Sequence, residues 1–89
     1  PYGIFVTETM ALYVADCWNN RVQLFQYGHV NATTVAGSGA SGTISLQGPQ
    51  AVTLDGNGYL FIVDSWNNRV VGQDQFGFRC LVGCSGVLG

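Results

Sequence analysis

The sequence has 89 residues, 47% of them apolar, and a net charge of −2 with only 9% Asp, Glu, Lys or Arg, against about 25% in an ordinary globular protein. No apolar run reaches the roughly 18 residues of a membrane span, no charged segment leading into an apolar one marks a signal peptide, and the acidic balance disfavours phosphate and therefore nucleic acid. At this length two separate cores are not expected. Lys is absent and the basic residues are Arg21, Arg69 and Arg79. So little charge calls for another route to solubility: burial against copies, glycan cover, or many neutral polar groups. A first residue other than Met fits an interior segment of something longer, or processed or engineered material.

In chain order, a β-rich run at Ile4–Thr7 is followed by a wholly apolar one at Leu12–Ala15, as expected of a strand buried on both faces. Trp18-Asn19-Asn20 predicts a turn, because Asn tolerates left-handed backbone and bonds locally. A third strand is expected over Val22–Gln26, a turn at Tyr27-Gly28, and a fourth strand over Ala32–Val35. Residues 36–48, Gly- and Ser-rich at first, read as a crossover, with Ile44 and Leu46 tucked inward. The series then recurs: Ala51–Leu54, the tight turn Asp55-Gly56-Asn57-Gly58, Leu60–Val63, Trp66-Asn67-Asn68, Val70–Gln73, Phe76-Gly77 and Phe78–Val82. No segment sustains helical periodicity.

The recurrence is an internal repeat. Residues 12–22 lie over 60–70 at an offset of 48, with 7 of 11 positions identical. Backwards, Pro1 falls on Pro49, Gly3 on Ala51, Ile4 on Val52 and Val6 on Leu54; forwards, one deletion sets Val35 on Val82. Residues 1–48 form one repeat and 49–89 most of a second. Four short strands per repeat predict an all-β chain of two four-stranded antiparallel units.

Gly48-Pro49, Val52 to Asn57, and Leu60 to Val70 with its Asp64, Asn67, Asn68, Arg69 element resemble the NHL repeat, and Tyr13 to Val22 carries the same run. The resemblance covers nearly the whole chain. It implies β-propeller blades, typically six to a ring, with residues 1–48 and 49–89 as one blade each. In the first repeat Thr7-Glu8-Thr9-Met10 departs from the Asp-Gly-Asn-Gly turn. Two blades leave two apolar faces bare, so further blades are expected from copies, as a closed ring or open filament, or from a longer chain.

Asp16 with Arg21 and Asp64 with Arg69, each with Asn19-Asn20 or Asn67-Asn68 between, read as structural pairs across a turn. Trp18 and Trp66 in the same turn are candidates for covering a neighbouring unit, or for stacking on a sugar or peptide. Asp55-Gly56-Asn57-Gly58 lacks the remaining ligands of a calcium loop, and the single His29 makes no zinc site. Neither a cofactor nor a catalytic set is expected. Cys80 and Cys84 flank Gly83 and are disulfide candidates if the chain bends there; Cys17 is left over. Asn31-Ala32-Thr33 is an N-glycosylation sequon. Together these favour an extracellular setting. The expected function is a non-catalytic scaffold, with copies of itself or further blades as partners. The alternative is a set of blades from a metal-dependent lyase or lactonase-like propeller with its catalytic residues elsewhere. RNA binding ranks last.

Overall fold

The computed structural model describes residues 3–28, 31–40 and 43–84. They form eight strands in two four-stranded antiparallel sheets. The first sheet has β1 (Gly3–Val6), β2 (Leu12–Asp16), β3 (Arg21–Phe25) and β4 (Thr33–Gly37) in sequential order. The second has β5 (Pro49–Leu54), β6 (Leu60–Asp64), β7 (Arg69–Asp74) and β8 (Gly77–Val82), ordered the same way. Among the described residues there is no α-helix, and no helix is long and apolar enough to cross a membrane. The helical turns among the described residues are two short 3-10 pieces, Cys17–Asn19 and Ser65–Asn67. Each ends on an Asn in the left-handed region, Asn20 at φ 56° and Asn68 at φ 53°, which Asn accepts more readily than most residues.

The sheets pack face to face, with β5 against β1 and β2. Ala15, Val22 and Ala36 of the first sheet meet Val52, Leu60, Ile62 and Val71 of the second, and Leu46 of the connection completes this core. Phe5, Tyr13, Ile44 and Leu54 pack around it. Residues that pair across neighbouring strands share a sheet face. One face of the second sheet therefore carries Val52, Ile62, Val71 and Cys80, and the other Ala51, Val63, Val70 and Val82. Only the first of these is covered. The expectation that the β2 and β6 segments are buried on both sides is thus corrected: Ile62 is fully buried while Val63 beside it is 41% exposed. Among the described residues each sheet therefore has one neighbouring sheet and one open side.

The repeat alignment also needs correction at its outer strand. Between Val22 and Gln23 the partner steps from Ala36 to Thr34, and between Val70 and Val71 it steps from Val82 to Cys80. The skipped residues, Val35 and Leu81, are equivalent bulges, so Val82 corresponds to Ala36 and not to Val35. The outer strands stand 46 residues apart, two deletions from the offset of the inner strands.

The β1–β2 turn adopts the geometry of the β5–β6 turn despite its different sequence. Met10 N donates to Thr7 O as Gly58 N does to Asp55 O, and Thr7 N to Ala11 O as Asp55 N to Tyr59 O. The Thr7 hydroxyl accepts from Ala11 N, and the Asp55 carboxylate accepts from Tyr59 N and Asn57 N. Met10 therefore occupies φ 65° where Gly58 has φ 84°. A side chain in that region costs about 1–2 kcal/mol, and Met10, 62% exposed, contributes little packing in return. Met10→Gly is expected to raise stability by about 0.5–1 kcal/mol net of the greater freedom glycine has when unfolded, read as a higher urea midpoint.

Candidate functional site

Within each repeat the Asp, Asn and Arg come together in the same way. Asp16 Oδ2 accepts from Asn19 Nδ2 at 3.1 Å and from Arg21 Nε at 2.9 Å; Asp64 Oδ2 accepts from Asn67 Nδ2 and Arg69 Nε, both at 2.8 Å. Neither carboxylate caps the backbone of its own 3-10 turn. The turn positions the pair: three residues of 3-10 helix and one left-handed Asn bring the Arg back opposite the Asp, as the β2–β3 and β6–β7 registers record.

The two sets differ in what they hold. Asp64 Oδ1 accepts from Gln47 N at 2.7 Å, Arg69 Nη2 donates to Ser45 O at 2.6 Å, and Trp66 N donates to Gln47 O at 3.0 Å. Residues 45–47 are thereby bound as a strap along the edge of the second sheet. On its other side Gly48 N donates to Asn20 Oδ1 at 3.0 Å, so both sheets grip one segment. Gly48 sits at φ 61° flat against the Trp66 indole, and a Cβ there would lie 2.5 Å from the ring; only glycine fits without displacing the Trp. Trp18 meets Trp66 edge to face, with centroids 5.7 Å apart, and both remain more than half exposed.

No described residue fills the corresponding places around Asp16, Arg21 and the Trp18 amide. The Asp64 side chain is 0% exposed and that of Asp16 is 16%. Burial works to raise the Asp16 pKa, but the hydrogen bonds from Arg21 and Asn19 and the Arg21 charge outweigh it and hold the carboxyl below its ordinary value. With the folded pKa depressed relative to the unfolded one, this group stabilises the fold above about pH 4 and loses that contribution as pH falls through the folded value. Urea midpoints taken from neutral pH into the acid range are expected to fall less steeply for Asp16→Asn than for the parent.

The open faces are the other exposed feature. On the first sheet Ile4, Val6, Leu12 and Val14 lie outward with Gln23 and Thr34, and Ile4 and Val6 are exposed. On the second, Ala51, Thr53, Phe61, Val63 and Val70 line an apolar hollow of about 210 Å³. Its sequence equivalents are Gly3, Phe5, Tyr13, Ala15 and Val22, the side of the first sheet that meets the second. Reciprocally, Ile4, Val6, Leu12 and Val14 are the equivalents of Val52, Leu54, Leu60 and Ile62, which pack on the first sheet. Each open face is therefore a second edition of one side of the internal junction, and the two open faces are of the types that pair with each other there.

Cys80 and Cys84 are joined as a disulfide with Cα atoms 5.4 Å apart, the chain turning at Gly83, φ 76°. Cys17 is a buried free thiol. Asn31 is exposed just ahead of β4; His29 lies outside the described residues. Among the described residues no three His, Cys, Asp or Glu side chains gather as a metal set. The strap at Ser45–Gln47 and the role of Gly48 escape a reading by residue type, because the bonds use backbone amides and carbonyls. A Gly ahead of β5, with a Trp in the β6–β7 turn, is the one trace they leave in the sequence. Neither the known protein-family models nor the curated proteins give a match to this chain.

Proposed function

We propose that the chain is a non-catalytic structural scaffold, two NHL-type propeller blades that complete their fold by docking head to tail with copies of themselves outside the cell. The observation that carries this reading is the equivalence of faces: the junction between the sheets uses one face of each, and the two left open are their repeat counterparts. An apolar sheet face left to water is unfavourable in proportion to its area. Repeating the internal junction covers both faces at once. That contact is heterologous, so it builds a ring where the rotation closes and a filament where it does not. The two editions are not identical. A Cβ on Gly3 would meet Gln50 O at 2.5 Å, and its counterpart on the open face is Ala51, so a junction between copies opens there by about a methyl group, with room left where Thr53 replaces Phe5. The Cys80–Cys84 disulfide and the exposed Asn31 sequon support an oxidising, glycosylating compartment, with an N-glycan on Asn31 as further surface cover.

Two charge substitutions test the reading. Ile4→Glu spoils the open face of the first sheet and Val63→Glu that of the second. Analytical ultracentrifugation is expected to show assembly of the parent chain and 9.5 kDa monomers for each variant alone. An equimolar mixture is expected to give a dimer and nothing larger, since each variant keeps the face the other lost. A parent chain that stays monomeric through the millimolar range, or a mixture that stays monomeric, would overturn the proposal.

A further inference from the structure

We infer that the connection between the two sheets carries a binding site for a neutral saccharide, made by Asn20, Ser45 and Gln47 beside the Trp66 indole. The connection borders a cavity of about 430 Å³ whose lining includes Asn20, Ser38, Ile44, Ser45, Leu46 and Gln47. Small-molecule sites span roughly 300–1,000 Å³, so this one has room for a single pyranose ring. Every part of it belongs to the junction inside the chain. Asn20 ends the β2–β3 turn, residues 44–47 lead into β5, and Trp66 lies in the β6–β7 turn. The strap is fixed through its main chain: Ser45 O by Arg69, Gln47 N by Asp64 and Gln47 O by Trp66 N. That arrangement leaves the Ser45 and Gln47 side chains exposed and without a protein partner among the described residues. They are polar groups on a backbone already held in place, so a ligand meets them with little left to order.

The chemistry of the lining selects the ligand. Ser38 and Ser45 offer hydroxyls, Gln47 a carboxamide, and Asn20 its Nδ2, since its Oδ1 already accepts from Gly48 N. Hydroxyls and carboxamides together both give and take hydrogen bonds, as the neighbouring hydroxyls of a sugar require. None of the described lining residues is charged. Arg69, which reaches the connection, has Nε on Asp64 and Nη2 on Ser45 O, and the Asp64 side chain is fully buried. A phosphate, a carboxylate or a metal ion therefore finds no counter-charge here, whereas a neutral polyhydroxyl ligand needs none. Trp66 supplies the apolar side. Its N–H donates to Gln47 O, and Gly48, the next residue, lies on the indole, so the ring stands one residue from the cavity lining. With Gly48 against it and Trp18 edge to face, Trp66 is still 53% exposed. The π surface of an indole is partly negative, and the C–H groups on one side of a pyranose ring are its complement.

The site goes beyond the scaffold reading and does not rest on it, because neither a second copy nor an open face takes part. The probes are glucose, galactose, mannose and N-acetylglucosamine, each titrated into the dilute full chain and followed by amide and indole N–H resonances. At least one is expected to give saturable shifts at the Ser45 and Gln47 amides, the Asn20 side-chain amide and the Trp66 indole N–H. The expected Kd is about a millimolar, ordinary for about a dozen heavy atoms held by a few hydrogen bonds in an open site. Gln47→Ala removes the carboxamide and keeps the main-chain bonds of that residue to Asp64 and Trp66. Trp66→Phe keeps a ring against Gly48 but shrinks the stacking surface. Each is expected to weaken binding about fivefold or more, while Val63→Ala, on the open face of the second sheet, leaves it unchanged. Undisturbed Ile62 and Val71 resonances report that each variant is folded. No saturable shift with any of the four sugars through about 100 mM, a hundredfold above the expected Kd, would overturn the site. So would parent affinity in both Gln47→Ala and Trp66→Phe. Equally tight binding of the neutral peptide acetyl-dialanine methylamide would overturn the assignment to a saccharide, since it would show a polar cleft that does not select for hydroxyls.

Discussion

Asp64→Ala is expected to cost about 3–5 kcal/mol of stability, the loss typical when one partner of a buried ion pair is removed. The substitution strands the Arg69 Nε and the Asn67 amide, and it releases the Gln47 amide from Asp64 Oδ1. The strap then keeps only the Arg69 to Ser45 and Trp66 to Gln47 bonds, and Leu46 loses its anchor at the sheet junction. Against a total of about 5–15 kcal/mol for a folded domain, this is a large share. The matched control is Asp16→Ala. The same Arg and Asn are stranded there, but Asp16 is partly wetted and holds no strap, so the expected loss is about 1 kcal/mol or less, as for surface pairs. Urea unfolding followed by Trp fluorescence measures both. Equal losses would mean that the strap bonds contribute nothing and that the Asp–Arg pair alone accounts for the effect.

That contrast between two identical motifs marks where the sequence stops being informative. Strand content was legible because Val, Ile, Tyr and Phe cluster in short runs between Asn- and Gly-bearing turns, and those preferences are local. The Asp–Arg pairing was legible for the same reason: five residues across a turn leave few other geometries. The bulges at Val35 and Leu81 were not, since a skipped apolar residue between apolar neighbours leaves no trace in composition. Nor was the β1–β2 turn, because Met10 has no intrinsic preference for the left-handed backbone its pairing imposes. Burial of β6 was misread for a related reason. Leu60–Val63 is apolar at every position, and alternation cannot say which side is covered when both sides are apolar. The strap was hidden because its recognition runs through main-chain atoms 17 and 24 residues upstream of the side chains that bind it.

The ambiguity in β6 supplies the second large effect. Ile62 is among the largest fully buried side chains, paired with Val52 and Val71 on the face that meets the first sheet. Ile62→Ala is expected to cost about 2–5 kcal/mol, the transfer energy of the lost methyls plus the cavity they leave. The loss should sit toward the upper end, because the site is walled by two sheets whose hydrogen-bonded backbones cannot collapse inward. Val63→Ala, one residue along, removes apolar carbon from the open face, and the expected cost to the isolated chain is within about 0.5 kcal/mol. Chemical denaturation of the dilute chain reads the first difference. Sedimentation across a concentration series reads the second, since the Val63 change is expected to weaken assembly while leaving the urea midpoint in place. Ile62→Ala should do the reverse at temperatures where the fold survives. A large stability loss at Val63 in the monomer would mean that its face is already packed, and the argument from open faces would fail with it. Adjacent residues on one strand thus separate what holds the two sheets together from what would join one chain to the next.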